Sequence, residues 1–160
     1  MKKYSQTSKN EISNKIEFTY IHSDANIEKI KNICNIAKER NYYAVCVRPD
    51  FITDAKSYLE HSNVKIVCVI DFPEIEGGKI GQKNLKVKMK DIRKAILDGV
   101  DEVDVAIDTK SYIKADDKTK ITKDLTDEII EMTHYCSANG VLIKIVLETG
   151  VLLDSIIKTQ

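Results

Sequence analysis

The sequence has no surplus of charge of either sign: 25 lysines and arginines balance 25 aspartates and glutamates, for a formal net charge of zero. A surface built to hold nucleic acid or another polyanion is therefore not expected, because such surfaces carry a clustered basic excess. Long apolar runs are missing too. The longest are of strand length, well short of the roughly 20 residues that cross a bilayer, so no membrane contact is expected. Met1-Lys2-Lys3-Tyr4-Ser5-Gln6 has lysines but no apolar stretch behind them, and does not read as a secretory signal. Cys34, Cys46, Cys68 and Cys136 lie far apart, with no C-x-x-C spacing. They predict reduced, mostly buried thiols in a cytoplasmic protein, with neither a disulfide frame nor a metal site. Neither G-x-G-x-x-G nor G-x-x-x-x-G-K-[ST] occurs, so the open nucleotide-binding sheets lose their signature.

The 160 residues fit one domain, with a polar lead-in over 1–14 and the domain proper over 15–160. Strands are predicted at 16–21, 44–47, 64–70, around Asp104, and at 142–148. Ser23 or Asp24 would cap a first helix with Ile27, Ile30, Ile33, Cys34 and Ala37 inward. Thr53 or Asp54 would open a second, with Ala55, Tyr58 and Leu59 inward. After a loop at 74–81, Val87, Met89, Ile92, Ile96 and Leu97 mark a third helix, closed by Gly99. The Lys83–Lys90 run reads as its solvated face. A polar connection over 110–123 leads to a helix around 125–138, and another helix starts after Gly150. His22, His61 and His134 lack ligand spacing and read as surface residues. Strand and helix alternating five times predict parallel strands with right-handed crossovers. Sites in such folds lie at the carboxyl ends of the strands, here marked by Thr19, Arg48, Asp71, Asp108 and Glu148.

The chain is organised around residues 99–108. Side chains alternate along a strand, so Asp104, Ala106 and Asp108 share one face while Val103, Val105 and Ile107 share the other. A carboxylate inside a sheet or barrel is costly without a positive or hydrogen-bonding partner. Lys144, within the apolar run 142–147, is the available one. The two residues form either a structural ion pair or a catalytic acid/base couple. Cys46 and Cys68 read as strand packing.

Four stretches then resemble the deoxyribose-phosphate aldolase family, in the family's order: Tyr43-Ala44-Val45-Cys46-Val47-Arg48-Pro49, Val67-Cys68-Val69-Ile70-Asp71-Phe72-Pro73, Gly99-Val100-Asp101-Glu102-Val103-Asp104 and Lys144-Ile145-Val146-Leu147-Glu148-Thr149-Gly150. The resemblance covers about residues 15–160. It implies an α/β fold, a (β/α)₈ TIM barrel of which this chain holds about the first five strands. The implied reaction is cleavage of a small phosphorylated sugar, 2-deoxyribose 5-phosphate, through a lysine Schiff base without metal or other cofactor. Carried over residue by residue, Asp104 matches the family's proton-moving aspartate and Lys144 its interior lysine on the fifth strand. Cys46 matches a cysteine near the acetaldehyde end, and Glu17 and Thr19 stand where the first strand usually has Asp and Thr. Arg48 and Lys110 depart from the family's usual residues.

The family's Schiff-base lysine belongs to a Lys-Thr-Ser-Thr-Gly motif on the sixth strand, and these 160 residues contain none. The expectation is that this polypeptide alone is inactive. The rival reading is an inert half-barrel or assembly partner; a weaker one is a small open sheet binding a phosphorylated ligand. Five strands would leave edges at 16–21 and 141–148 and uncover the inner face at Cys46, Ala106, Lys144 and Val146. Self-association through those edges is expected.

Overall fold

The computed structural model of the chain describes residues 11–72 and 80–158, without the side chains of 155–158. Most of the expected lead-in and of the 74–81 loop therefore lies outside the described residues. Among the described residues the elements in chain order are β1 (Glu17–Thr19), α1 (Ile27–Arg40), β2 (Ala44–Val47), α2 (Ile52–Tyr58), β3 (Lys65–Ile70), α3 (Leu85–Asp98), β4 (Glu102–Ala106), α4 (Thr109–Lys114), α5 (Lys118–Ala138), β5 (Leu142–Val146) and α6 (Thr149–Lys158). Strands and helices thus alternate except for the helix pair between β4 and β5. All pairings are parallel, and the strands lie in sequence order in one sheet.

The sheet is strongly curved. Flat, five strands would set β1 and β5 about 19 Å apart, at roughly 4.8 Å per step. Instead Lys144 on β5 donates a hydrogen bond to Glu17 on β1. The convex face carries the larger core, in which Val45, Val47, Ile66, Cys68, Ile70, Val103 and Val105 pack under Ile30, Ile33, Ile52, Ile92 and Met132 of the helices. The concave face holds a smaller apolar group, Ala44, Cys46, Val67 and Val69. Its curvature corrects one expectation. Cys46 and Ala106 are buried within this chain, while Lys144 and Val146 are only half-buried.

Local chemistry sets the helix ends. Asn26, not Ser23 or Asp24, caps α1 by accepting from the Lys29 amide at 3.0 Å. As a result Ile27 is 54% exposed. No side chain caps α2, which grows directly out of a 3₁₀ turn at Pro49–Phe51. Gly99 ends α3 with φ +93°, a left-handed conformation that glycine adopts without penalty. The 110–123 segment is mostly helical, because Asp108 and Asp117 each cap a helix, α4 and α5. The three histidines are exposed and all four cysteines are buried free thiols.

The Lys83–Lys90 run is not a uniformly solvated face. On α3 the buried stripe is Lys88, Met89, Ile92 and Ala95, whereas Val87 and Leu97 turn outward. Lys88 is 1% exposed, with its ammonium 2.6 Å from Glu128 on α5 and 3.6 Å from Asp71 after β3. Burial pushes the Asp71 carboxyl up, and the Lys83 amide and Lys88 ammonium oppose that rise. Removing one partner of a buried pair leaves the other uncompensated. Lys88→Met is therefore expected to lower stability by about 3 kcal/mol, read from urea unfolding. A loss below about 1 kcal/mol would mean that desolvation cancels the attraction.

Candidate active site

Register places the charged residues on the concave face. Asp104 pairs with Lys144 across β4 and β5, Glu102 with Leu142, Glu17 with Ala44, and Thr19 with Cys46. Paired residues of parallel strands point the same way, so Glu17, Thr19, Cys46, Glu102, Asp104 and Lys144 share the inner face.

Lys144 is the hub. Its ammonium hydrogen-bonds Glu17, lies 3.0 Å from Asp104 Oδ1 and 3.5 Å from Glu102 Oε2. The Asp104 contact is an ion pair whose angles fall short of a hydrogen bond. Burial opposes the charge on Lys144, but Glu17 and Asp104 outweigh it and hold the amine well above its ordinary range. Burial raises the Asp104 carboxyl; Lys144 pulls it down, the nearby Glu17 pushes it up, and it settles at about 6. One acid thus titrates close to neutrality beside a permanently charged ammonium. That pairing suits proton transfer in either direction.

Cys46 is 1% exposed. Burial, then the carboxylates of Glu17 and Asp104, drive its thiol far up, so it is a neutral wall and not a nucleophile. One donor atom each of Glu17, Cys46 and Asp104 lies within 4.8 Å of the others, a set that could hold a metal ion. Lys144 already pairs with both carboxylates there, and a cation would have to displace it. Thr19 stands exposed at the carboxyl end of β1.

Asp108 does not join Asp104. The strand ends at Ala106, and Asp108 instead accepts from the Ser111 amide at 2.9 Å and its hydroxyl at 2.6 Å. At the other strand ends, Arg48 Nη1 donates to the Ile21 carbonyl at 3.1 Å, tying β2 to the segment after β1. Asp71 and Glu148 adopt positive φ, +62° and +47°.

Sequence reading overlooked Glu102. Its side chain is 1% exposed; Oε1 accepts from Tyr43 and, at 3.0 Å, from Lys65. Burial works to raise its pKa, yet the Tyr43 and Lys65 hydrogen bonds prevail and hold it below the usual range. The available signal was period two: Glu102 lies two residues before Asp104, on the same face of β4.

Known proteins resemble this chain in sequence and fold. The profile of the DeoC/LacD family aldolases matches residues 6–160. The deoxyribose-phosphate aldolase of Malacoplasma penetrans is 32% identical over 141 residues, covering 88% of this chain and 58% of that protein. The enzyme of the same name from Coprothermobacter proteolyticus is 32% identical over 139 residues, covering 87% of this chain and 58% of its own. Among solved structures, one described as a deoxyribose-phosphate aldolase from Coccidioides immitis superposes with a TM-score of 0.76 at 26% identity, over 91% of this chain and 53% of that one. The tetrameric deoxyribose phosphate aldolase of Aeropyrum pernix gives 0.74 at 20% identity, over 91% and 56%, and shows the shared fold. The chain spans somewhat over half the length of the relatives it matches. With a family profile matched from residue 6 onward on a curved sheet of five parallel strands, the chain belongs to the DeoC/LacD family of aldolases.

Proposed function

We propose that this chain supplies the first five βα units of a deoxyribose-phosphate aldolase of the cytoplasm, acting on 2-deoxyribose 5-phosphate. The observation that carries this reading is the ion pair of Asp104, titrating at about 6, with Lys144 on the concave face.

Imine chemistry needs protons moved repeatedly. A lysine amine adds to the C1 aldehyde, and the resulting carbinolamine must lose its hydroxyl as water. The C3 hydroxyl then gives up a proton as the C2–C3 bond breaks, releasing three-carbon glyceraldehyde 3-phosphate. The electron pair passes into the iminium to form an enamine. Protonation at C2 and hydrolysis then free acetaldehyde. An acid that titrates near neutrality, such as Asp104, can both give and take those protons. Lys144 keeps Asp104 oriented and supplies positive charge that holds a neighbouring amine neutral. Its own amine is charged and therefore a poor nucleophile. Glu17 fixes Lys144, the exposed Thr19 hydroxyl faces substrate, and Cys46 walls the acetaldehyde end.

The imine lysine of the family lies in Lys-Thr-Ser-Thr-Gly, which the 160 residues do not contain. The expected result of incubating this polypeptide with acetaldehyde and borohydride is therefore no covalent adduct and no aldol cleavage. A reduced adduct on Lys144, lost in Lys144→Ala, would make Lys144 the nucleophile and overturn this assignment. Nucleotide sequence beyond the Gln160 codon decides between a catalytic barrel, encoding that motif, and an assembly partner, encoding none. The second reading draws support from the outer edges of β1 and β5, which pair with no strand among the described residues.

A further inference from the structure

Glu102 is a fully buried carboxylate that the mechanism above does not use. Its two oxygens live in different surroundings. Oε1 is saturated by the Tyr43 hydroxyl and by Lys65, whose ammonium also donates to the Tyr43 oxygen at 2.9 Å. Oε2 accepts no hydrogen bond from the described residues, and lies 3.5 Å from the Lys144 ammonium. A buried carboxylate oxygen left in that state is unusual unless it serves a neighbour. Here the neighbour is the same ammonium that contacts Asp104 at 3.0 Å.

We propose that Glu102 is a positioning residue for the Asp104–Lys144 pair, held at one oxygen by Tyr43 and Lys65 while the other draws on the Lys144 ammonium. It thereby sets how much of Lys144's charge reaches Asp104. The inference rests on the reading of Asp104 and Lys144 as the proton-handling pair. The charged and titratable groups around that pair are Glu17 from β1, Tyr43 just before β2, Cys46 from β2, Lys65 from β3, and Glu102 itself from β4. Three carboxylates thus share two ammoniums, and any change in one carboxylate's claim on Lys144 must appear at the others.

Two substitutions move this balance in opposite directions. Glu102→Gln keeps the shape but removes a negative charge about 7 Å from Asp104, two residues along a strand. Asp104 should then lose a proton more readily, its titration midpoint falling by about 1 unit. Tyr43→Phe leaves the charge in place but removes a donor from Oε1. The carboxylate then leans harder on Lys144, Asp104 loses part of its ammonium, and its midpoint should rise.

The experiment is carboxyl-carbon NMR titration of aspartate-labelled protein, with Asp104 assigned through Asp104→Asn. It reads the coupling whether or not the polypeptide cleaves an aldol, so its outcome is independent of the imine-trapping test. A fall in Glu102→Gln together with a rise in Tyr43→Phe is the expected result. An unchanged or rising midpoint in Glu102→Gln would show that Glu102 only fills and braces the sheet, and would overturn the proposal. If Glu102→Gln does not fold, Tyr43→Phe decides alone: a rise supports the coupling, and no change or a fall refutes it.

Discussion

Asp104→Asn is expected to raise the melting temperature at pH 7.5 by about 5–10 °C, and to leave it unchanged near pH 3. The reason lies in the sign of the shift. Asp104 titrates at about 6 in the folded chain, against 3.8 for the ordinary group. Between those two values the native state holds a proton that the unfolded state has released, so stability falls as pH rises through that window. Above pH 6 the deficit is constant at about 3 kcal/mol. Asparagine carries no charge and so avoids it, and Lys144 still keeps Glu17 and Glu102 as counter-charges. Below the lower value both side chains are neutral and the difference vanishes. Calorimetric melts of both proteins across this range test the claim. A lower melting temperature for the asparagine variant at pH 7.5 would show that the contact with Lys144 stabilises more than ionisation costs. The same substitution removes the group assigned to proton transfer, so in a catalytically competent barrel it should reduce cleavage by about 10²-fold or more. Opposite effects on stability and turnover are what a strained functional acid should give.

The second large effect concerns association. Prepared by itself, the 160-residue polypeptide is expected to self-associate in a concentration-dependent way. On β5 the Leu142 amide bonds Asp101 and the Val146 carbonyl accepts from Ile107, so even-numbered residues turn their backbone groups to β4. Alternation then turns the N–H and C=O of Ile143 and Ile145 to the open side. Leu142 and Leu147 flank this edge, 52% and 45% exposed. An unpaired, partly apolar edge is a template for another strand. The concave interior adds less to this tendency than the edge does, because Cys46 and Ala106 are already covered. Sedimentation velocity over a dilution series is the measurement. A monodisperse monomer at all concentrations, melting cooperatively above about 45 °C, would refute it.

Which features were legible in the sequence follows from how local their causes are. Asp104 and Lys144 could be paired from sequence because strand alternation alone fixes the face of each, and the register Asp104↔Lys144 then brings them together. The five parallel strands were legible because each apolar run is bounded by polar residues. Asp108 was misplaced because nothing local announces that β4 stops at Ala106. The helices within 109–124 were missed for a related reason: their caps are present, but the apolar periodicity is weak. Lys88 shows the limit most clearly. A lysine among lysines reads as solvated, and its partners Asp71 and Glu128 lie on other elements, the latter 40 residues away. Glu102 was readable in principle, by the same period that marked Asp104. Its donors, Tyr43 just before β2 and Lys65 on β3, are however settled only by the order of the strands.

The Lys144–Glu17 contact joins residues 127 positions apart, and that separation bears on how the chain comes to be folded. The acids of β1 and β4 leave the ribosome well before the lysine. At roughly 5–20 residues per second, Glu102 and Asp104 spend several seconds without their ammonium. Local helices and neighbouring strands can form in that interval, since they need only short loops. Closing the curve cannot, because contacts this distant in sequence form slowly. In the nascent chain the sheet must therefore persist open, its acids hydrated, until β5 docks and Lys144 fastens the first strand to the last.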